Sequence, residues 1–394
     1  MEFAFTQEQL MIRDVADTFL QALSPSARIR EAMALPAGFI GSDWQKIADE
    51  MCWPALTIPE TYGGLGLGFV EQAIIMEQMG RYLCCSPLFA SQALATNALL
   101  HCALPEQQAQ WLPLLASGQH TATLGWLSAD SLGNRQWGAA SVQARFIRTA
   151  EGYVLSGQWQ QVIGGHASDL LILAARDGNT DALQLFIVPP DTQGVKTRWT
   201  PSLDQTRSLA TICADKVHLP LSACLGQQPC QAAALESILA LARIALAAEQ
   251  TGGAAQCLQM TLEYIKDRHQ FGRAIASFQA VKHRAADMKL EVESAISALY
   301  YAACIADGWR EGTESNTTLQ LASSLAKSTC SETFSLCAQE ALQLHGGVGF
   351  TWEYDIHLYL KRAQTSKQML GSPALHRSRI AGYLLDNACA QQGA

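Results

Sequence analysis

Arg268-His269-Gln270-Phe271-Gly272-Arg273-Ala274-Ile275-Ala276-Ser277-Phe278-Gln279-Ala280-Val281-Lys282-His283 joins two runs of helical periodicity, and the fold is read outward from it. Upstream, the helical period sets in after Gln231, with Leu235, Ile238, Leu239 and Leu246 on one stripe. Downstream, long helices are expected over roughly 275–309 and 317–345. Three or four such helices packed on one another make a bundle. The segment is also locally basic. Over residues 261–290, Lys266, Arg268, Arg273, Lys282, Arg284 and Lys289 stand against Glu263, Asp267 and Asp287, a balance of +3. From Ile356 to Leu385 there is no acidic residue, while Lys361, Arg362, Lys367, Arg377 and Arg379 give +5. In an acidic chain such patches suggest a small polyanion, a pyrophosphate or a phosphorylated carrier. Solvated helix faces with favourable end charges are the alternative reading.

Toward the amino terminus the texture changes twice. From about Thr121 to Leu225, short β-branched runs (Tyr153-Val154-Leu155, Leu170 to Leu173, Leu183 to Val188) alternate with turn signals at Glu151-Gly152, Asp177-Gly178-Asn179 and Pro189-Pro190-Asp191. This predicts a small antiparallel β domain. The first 120 or so residues read as helices, with Thr6/Gln9 and Ser42/Gln45 each spaced as a capping box. The glycine-dense Pro59 to Gly68 reads as a turn, because no strand precedes it and no Gly-Lys-Ser/Thr follows; a phosphate cradle is the other possibility. The expected division is 1–120 helical, 121–228 β and 229–394 helical bundle.

Composition narrows the function classes. With 394 residues, 49 % apolar and 16 % charged, the chain buries a large core and is not disordered. Its net charge of −8 and lack of a basic run speak against nucleic acid. Twelve cysteines hold one close pair, Cys84-Cys85, and no Cys-x-x-Cys, so reduced thiols and no metal site are expected. Glu2, Glu8 and Asp14 interrupt the amino terminus, and no eighteen apolar residues run together. A cytoplasmic protein without secretion signal or membrane insertion is expected.

A second segment, Gln343-Leu344-His345-Gly346-Gly347-Val348-Gly349-Phe350, ends one predicted helix and leads into the next. Its glycines allow close approach of a phosphate to the backbone, although a helix stop needs only one of them. With the 268–283 segment it resembles the two signatures of the acyl-CoA dehydrogenase family. The match continues through Thr351-Trp352-Glu353-Tyr354, and the Pro59 to Gly66 loop, a Ser156-Gly157 hairpin, Ala167-Ser168-Asp169 and Ala247 to Gly253 follow in family order over nearly the whole chain.

The resemblance implies a helical amino-terminal domain, a small middle β-barrel and a carboxy-terminal four-helix bundle. It implies FAD as cofactor, an acyl-CoA thioester as substrate and an electron-transferring flavoprotein as acceptor. In such enzymes a carboxylate takes the α-proton while the β-hydride passes to the flavin, so position dominates the rate. Each family flavin site is built from two subunits. The half given to a neighbour is present: Arg268 matches the pyrophosphate arginine, Phe278 and Gln279 the adenine-side pair, and Gln343, Gly346 and Gly347 the diphosphate loop. Phe271 and Ser372 are counted with them, and Arg243 matches a substrate-side arginine. The half that serves a subunit's own flavin departs from the pattern. Leu127-Ser128-Ala129 replaces Thr-Glu-Pro, and the ring-stacking aromatic and hydroxyl positions hold Gln161 and Ile163. The catalytic glutamate's two family positions are Leu370 and Ala242, and neither accepts a proton. Glu353 is the candidate for a displaced base, with Asp355 and Glu249 nearby, the last six residues beyond Arg243 and so about 240° round a helix. The resemblance therefore points to the base-deficient subunit of a heteromeric acyl-CoA dehydrogenase, a heterotetramer with a homologous partner. A homo-oligomer with a displaced base, a flavin-dependent oxygenase and a non-catalytic binding subunit remain as other readings.

Overall fold

The computed structural model describes residues 5–128, 137–227 and 230–392, with side chains through Leu385. Helices α1 (Gln7–Leu23), α2 (Ser26–Ala34), α3 (Gly41–Asp49), α4 (Phe69–Arg81), α5 (Asn97–Cys102) and α6 (Pro105–Ala116) precede seven strands. These are β1 (Ala122–Gly125), β2 (Arg145–Arg148), β3 (Gly152–Ile163), β4 (Leu170–Asp177), β5 (Leu183–Val188), β6 (Val195–Thr200) and β7 (Leu209–Pro220). Then come α7 (Ala232–Asp267), a small hairpin β8 (His269–Gln270) and β9 (Arg273–Ala274), α8 (Gln279–Arg310), α9 (Asn316–His345), α10 (Ile356–Gln368) and α11 (Pro373–Gln392). The fold is mainly helical with a curled half-barrel sheet. Two compact units divide it: residues 1–29, 69–84 and 243–394 form one, and 30–68 and 85–242 the other.

In the first unit, α8 and α9 bury facing rows, Met288, Val292, Ala295 and Leu299 on one and Ala326, Cys330, Phe334 and Cys337 on the other. A Cβ on Gly253 would lie 2.5 Å from the Phe334 ring, so α7 and α9 touch backbone to ring. Helices α4 and α7 meet as closely: Cβ atoms on Gly80 and Gly252 would lie 2.0 Å from the Glu249 carbonyl oxygen and 1.8 Å from that of Glu77. The stripe expected at the start of α7 proves too narrow, since residues 237–254 are buried all round, as in a helix central to its surroundings.

In the second unit the sheet order is β1-β4-β2-β3-β7-β6, with β5 also on β4. The antiparallel expectation is corrected here. β1 and β2 both run parallel to β4, because the chain makes the β2–β3 hairpin before β4 returns in the direction of β1. Trp159 is fully buried at the centre of the core and donates its indole N–H to the Ala174 carbonyl at 2.8 Å. Ser156-Gly157 is no hairpin but a register shift inside β3, where a Cβ on Gly157 would meet the Ala144 methyl at 2.4 Å. The turns expected at Asp177-Gly178-Asn179 and Pro189 to Asp191 join β4 to β5 and β5 to β6.

The capping box at Thr6 and Gln9 forms in both directions. The one expected at Ser42 does not: α3 starts at Gly41 with the buried Ile40 as its cap, which draws Ser42 into the first turn. The Pro59 to Gly68 loop donates its amides to its own first carbonyl and to those of the segment just before it, Gly64 to Pro59, Leu65 to Ala55, Gly66 to Ile58 and Leu67 to Leu56, as a turn does.

Candidate functional site

Helix α7 runs out at Asp267, and the β8–β9 hairpin reverses the chain through Phe271 and Gly272, both at positive φ (55° and 77°). That is the backbone of a primed two-residue turn, and it holds Phe271 92 % exposed at the tip. Behind it, the Arg273 guanidinium lies 4.1 Å from the Phe278 ring, and Phe271 meets Phe278 edge-on at 6.1 Å. Gln279 opens α8, exposed.

At the far end of the sequence, α9 stops at His345. The Gly346 N–H bonds the carbonyls of Gln343 and Leu342, and Gly346 takes φ 64°. A Cβ at Gly346 or Gly347 would meet no atom within 4 Å. These two ends converge. Tyr264, Arg268, Gln270 and Ile275 form one side, and Leu344 to Val348 with Thr351 the other, of a groove of about 420 Å³. Among the described residues nothing hydrogen-bonds or pairs with the Arg268 guanidinium. A free guanidinium opposite bare glycine backbone suits an anion of phosphate type. Gln343 is exposed on the last turn of α9, outside the groove lining, as are Phe271, Phe278 and Gln279. Ser372 stands apart: its hydroxyl accepts from the Leu375 N–H at 3.3 Å and caps α11.

The two base positions are sealed. Leu370 and Ala242 are both 0 % exposed. Leu370 sits at φ 59° and Gly371 at φ 108°, a strained turn for a leucine, and the His376 ring bonds the Leu370 carbonyl at 3.0 Å. Burial holds His376 far below its ordinary range, with Arg243 and Lys327 adding to the effect. Lys327, also fully buried, gives its ammonium protons to the Ser331 hydroxyl (2.7 Å) and the Ser366 carbonyl (3.1 Å), and burial brings it down to about 7. Arg243 is buried beside Ala242 and donates to the Gln320 side chain at 2.9 Å.

Two of the acidic candidates are engaged elsewhere. Glu249 pairs with Arg362 at 3.6 Å, both about a tenth exposed, and Asp355 accepts from the Ser26 hydroxyl at 2.7 Å. Glu353 is exposed in the turn before α10. In the sheet, Gln161 stands at φ 53° beside the β3 irregularity and Ile163 is buried, its carbonyl accepting from the Thr123 hydroxyl. The Ser128 hydroxyl accepts from the Gln143 N–H at 3.0 Å, and Ala129 lies outside the described residues.

Sequence reasoning passed over Tyr264 and His345, which wall the groove, His376, which bonds the Leu370 carbonyl, and Lys327, buried against the end of α10. Tyr264 had a signal, one helical turn before Arg268; Lys327 and His376 look in sequence like ordinary helix-surface residues. Among the described residues no cluster of His, Cys, Asp or Glu is placed to hold a metal ion, and no helix is long and apolar enough to cross a membrane.

Comparison with known proteins bears on the family. The family models for the amino-terminal and carboxy-terminal domains of acyl-CoA dehydrogenases match residues 6–119 and 232–385. The chain is 33 % identical over 374 residues to acyl-CoA dehydrogenase IpdE2 of Mycobacterium tuberculosis, covering 93 % of this chain and 94 % of that one. The solved Tcur3481-Tcur3483 steroid ACAD, a variant form, superposes with a TM-score of 0.85 at 25 % identity over 97 % of this chain and 99 % of its own. A chain of the ChsE4-ChsE5 complex from Mycobacterium tuberculosis does so with 0.86 at 25 %, over 98 % and 99 %.

Proposed function

Because the chain belongs to the acyl-CoA dehydrogenase family, we propose that it is the subunit of a heteromeric flavoprotein that grips a partner's FAD without performing the proton abstraction itself. One observation carries this reading. Arg268 and Gly346-Gly347, far apart in sequence, line one groove, while Leu370 and Ala242 are buried and apolar. The domain division at residues 120 and 228 belongs to the same proposal.

The groove suits the diphosphate of FAD. Arg268 supplies the charge, the glycines leave room for close approach beside Gln343, and Phe278 and Gln279 belong to the adenine side. When bound there, FAD would supply the hydride acceptor for the α,β-dehydrogenation of an acyl-CoA, with an electron-transferring flavoprotein as the electron acceptor. This chain's contribution is to hold one end of that cofactor and fix its place, which matters because hydride transfer is governed by position. Two of the solved structures like this one, Tcur3481-Tcur3483 and ChsE4-ChsE5, carry two-chain names, which supports a two-chain assembly here.

The test is Arg268→Ala in the complex formed with a homologous acyl-CoA dehydrogenase chain. Losing one charge-assisted grip on a phosphate is worth about 1.5–3 kcal/mol, so flavin should be held roughly ten- to a hundredfold more weakly. Unchanged flavin content and turnover would remove the donated clamp from the reading.

A further inference from the structure

The two sides of the groove are joined at one place. The Tyr264 ring stacks on the His345 ring, centroids 4.2 Å apart and planes at 20°. The Tyr264 hydroxyl donates to the His345 carbonyl at 3.2 Å. Tyr354 closes the group edge-on, 6.3 Å from Tyr264 and 6.0 Å from His345. A ring nitrogen of His345, Nδ1, lies 2.7 Å from the Ala341 carbonyl. His345 is thus held by its ring face, its ring edge and its carbonyl, and it precedes two glycines at which a Cβ would meet no atom within 4 Å. Tyr264 is equally tied to the opposite side, since its own carbonyl accepts the Arg268 N–H at 2.9 Å. The Arg268 carbonyl in turn accepts from Ile275 at 2.8 Å, so the arginine leaves the helix at a fixed point.

We propose that Tyr264 and His345 form a clasp that sets the distance between Arg268 and the Gly346-Gly347 backbone, and that this distance selects a diphosphate over a monophosphate. The proposal rests on reading the groove as a nucleotide-diphosphate site. Two anionic centres need two donors at a fixed separation. Arg268 sits on one side and glycine backbone on the other. Tyr264 is a positioning residue in this scheme, because its ring and hydroxyl are occupied by His345 and it acts through the residues it holds.

The experiment titrates the full chain with ADP and with AMP, for the wild type, Tyr264→Phe, Tyr264→Leu and Arg268→Ala, and records thermal midpoints beside the affinities. The wild type should prefer ADP by about tenfold, the value of one such bond. Tyr264→Leu, which removes both stack and hydroxyl, should bring the ratio near one while AMP affinity stays close to that of the wild type. Tyr264→Phe keeps the stack and loses only the hydroxyl, so an intermediate ratio is expected; it also carries the test alone if the leucine variant does not fold. In Tyr264→Phe, a lowered midpoint with both nucleotides weakened together marks a general loss of structure, and that result overturns the proposal. So does an unchanged ratio in both tyrosine variants when Arg268→Ala abolishes the preference, which leaves the groove a diphosphate site without a clasp. If Arg268→Ala also leaves both affinities untouched, or the wild type does not discriminate, the diphosphate reading falls and the clasp with it.

Discussion

Lys327 and His376 show how much a single buried residue can conceal in a sequence. Each is a polar letter in a helix, yet both are 0 % exposed, Lys327 bonded to Ser331 and the Ser366 carbonyl and His376 to the Leu370 carbonyl. Burial favours the neutral amine, and Lys327 falls from its ordinary 10.5 to about 7. The linkage sign follows. Between about 7 and 10.5 the unfolded chain carries a proton that the folded chain lacks, so stability rises with pH across that window. The slope from this group is up to one proton, about 1.4 kcal/mol per pH unit. Urea unfolding from pH 7 to 10 should show the wild type gaining relative to Lys327→Met, in which the slope is reduced; parallel curves would place Lys327 outside this linkage. The leucine at residue 370 was legible as a departure from the family's glutamate, because that is visible in letters. The His376 bond to the Leu370 carbonyl was not, because the histidine reaches that turn only through the fold.

Elements whose hydrophobic period is long and regular were read well: α8 and α9, expected over roughly 275–309 and 317–345, run Gln279–Arg310 and Asn316–His345. Local signals failed where tertiary packing overrode them. Ile40 preferred burial and displaced the cap from Ser42, and the glycine of Ser156-Gly157 answers Ala144 across a strand rather than a turn. Strand direction was also out of reach, since alternation along one strand does not say which neighbour it will pair with. The α4–α7 crossing gives an element-scale prediction. A Cβ on Gly252 would sit 1.8 Å from a backbone oxygen, and backbone cannot swing aside as a side chain can. Gly252→Ala should therefore cost about 3 kcal/mol, the upper end for overpacking. A loss under about 0.5 kcal/mol in denaturant titration would mean that the two helices separate easily.

At the scale of the whole molecule, the proposed function joins two observations: a groove lined by Arg268 and Gly346-Gly347, and a buried leucine at residue 370. The groove was legible as two motifs in the sequence, but their meeting was not, because Arg268 and Gly346 are 78 positions apart and only the bundle brings them together. Exposed Phe271, Phe350 and Trp352 lie on the hairpin and on the segment just after the glycines, so apolar surface flanks the sequence of both motifs. Such residues suit a protein partner. The most direct test of the central claim is the flavin content of this chain purified alone, set against the same chain purified with a homologous acyl-CoA dehydrogenase partner, with single-turnover bleaching by an acyl-CoA in each. Alone it should hold far less than one FAD per chain and show no bleaching, and in the complex flavin and bleaching should both appear. Near-stoichiometric flavin in the lone chain, bleached by an acyl-CoA, would contradict the division of labour proposed here.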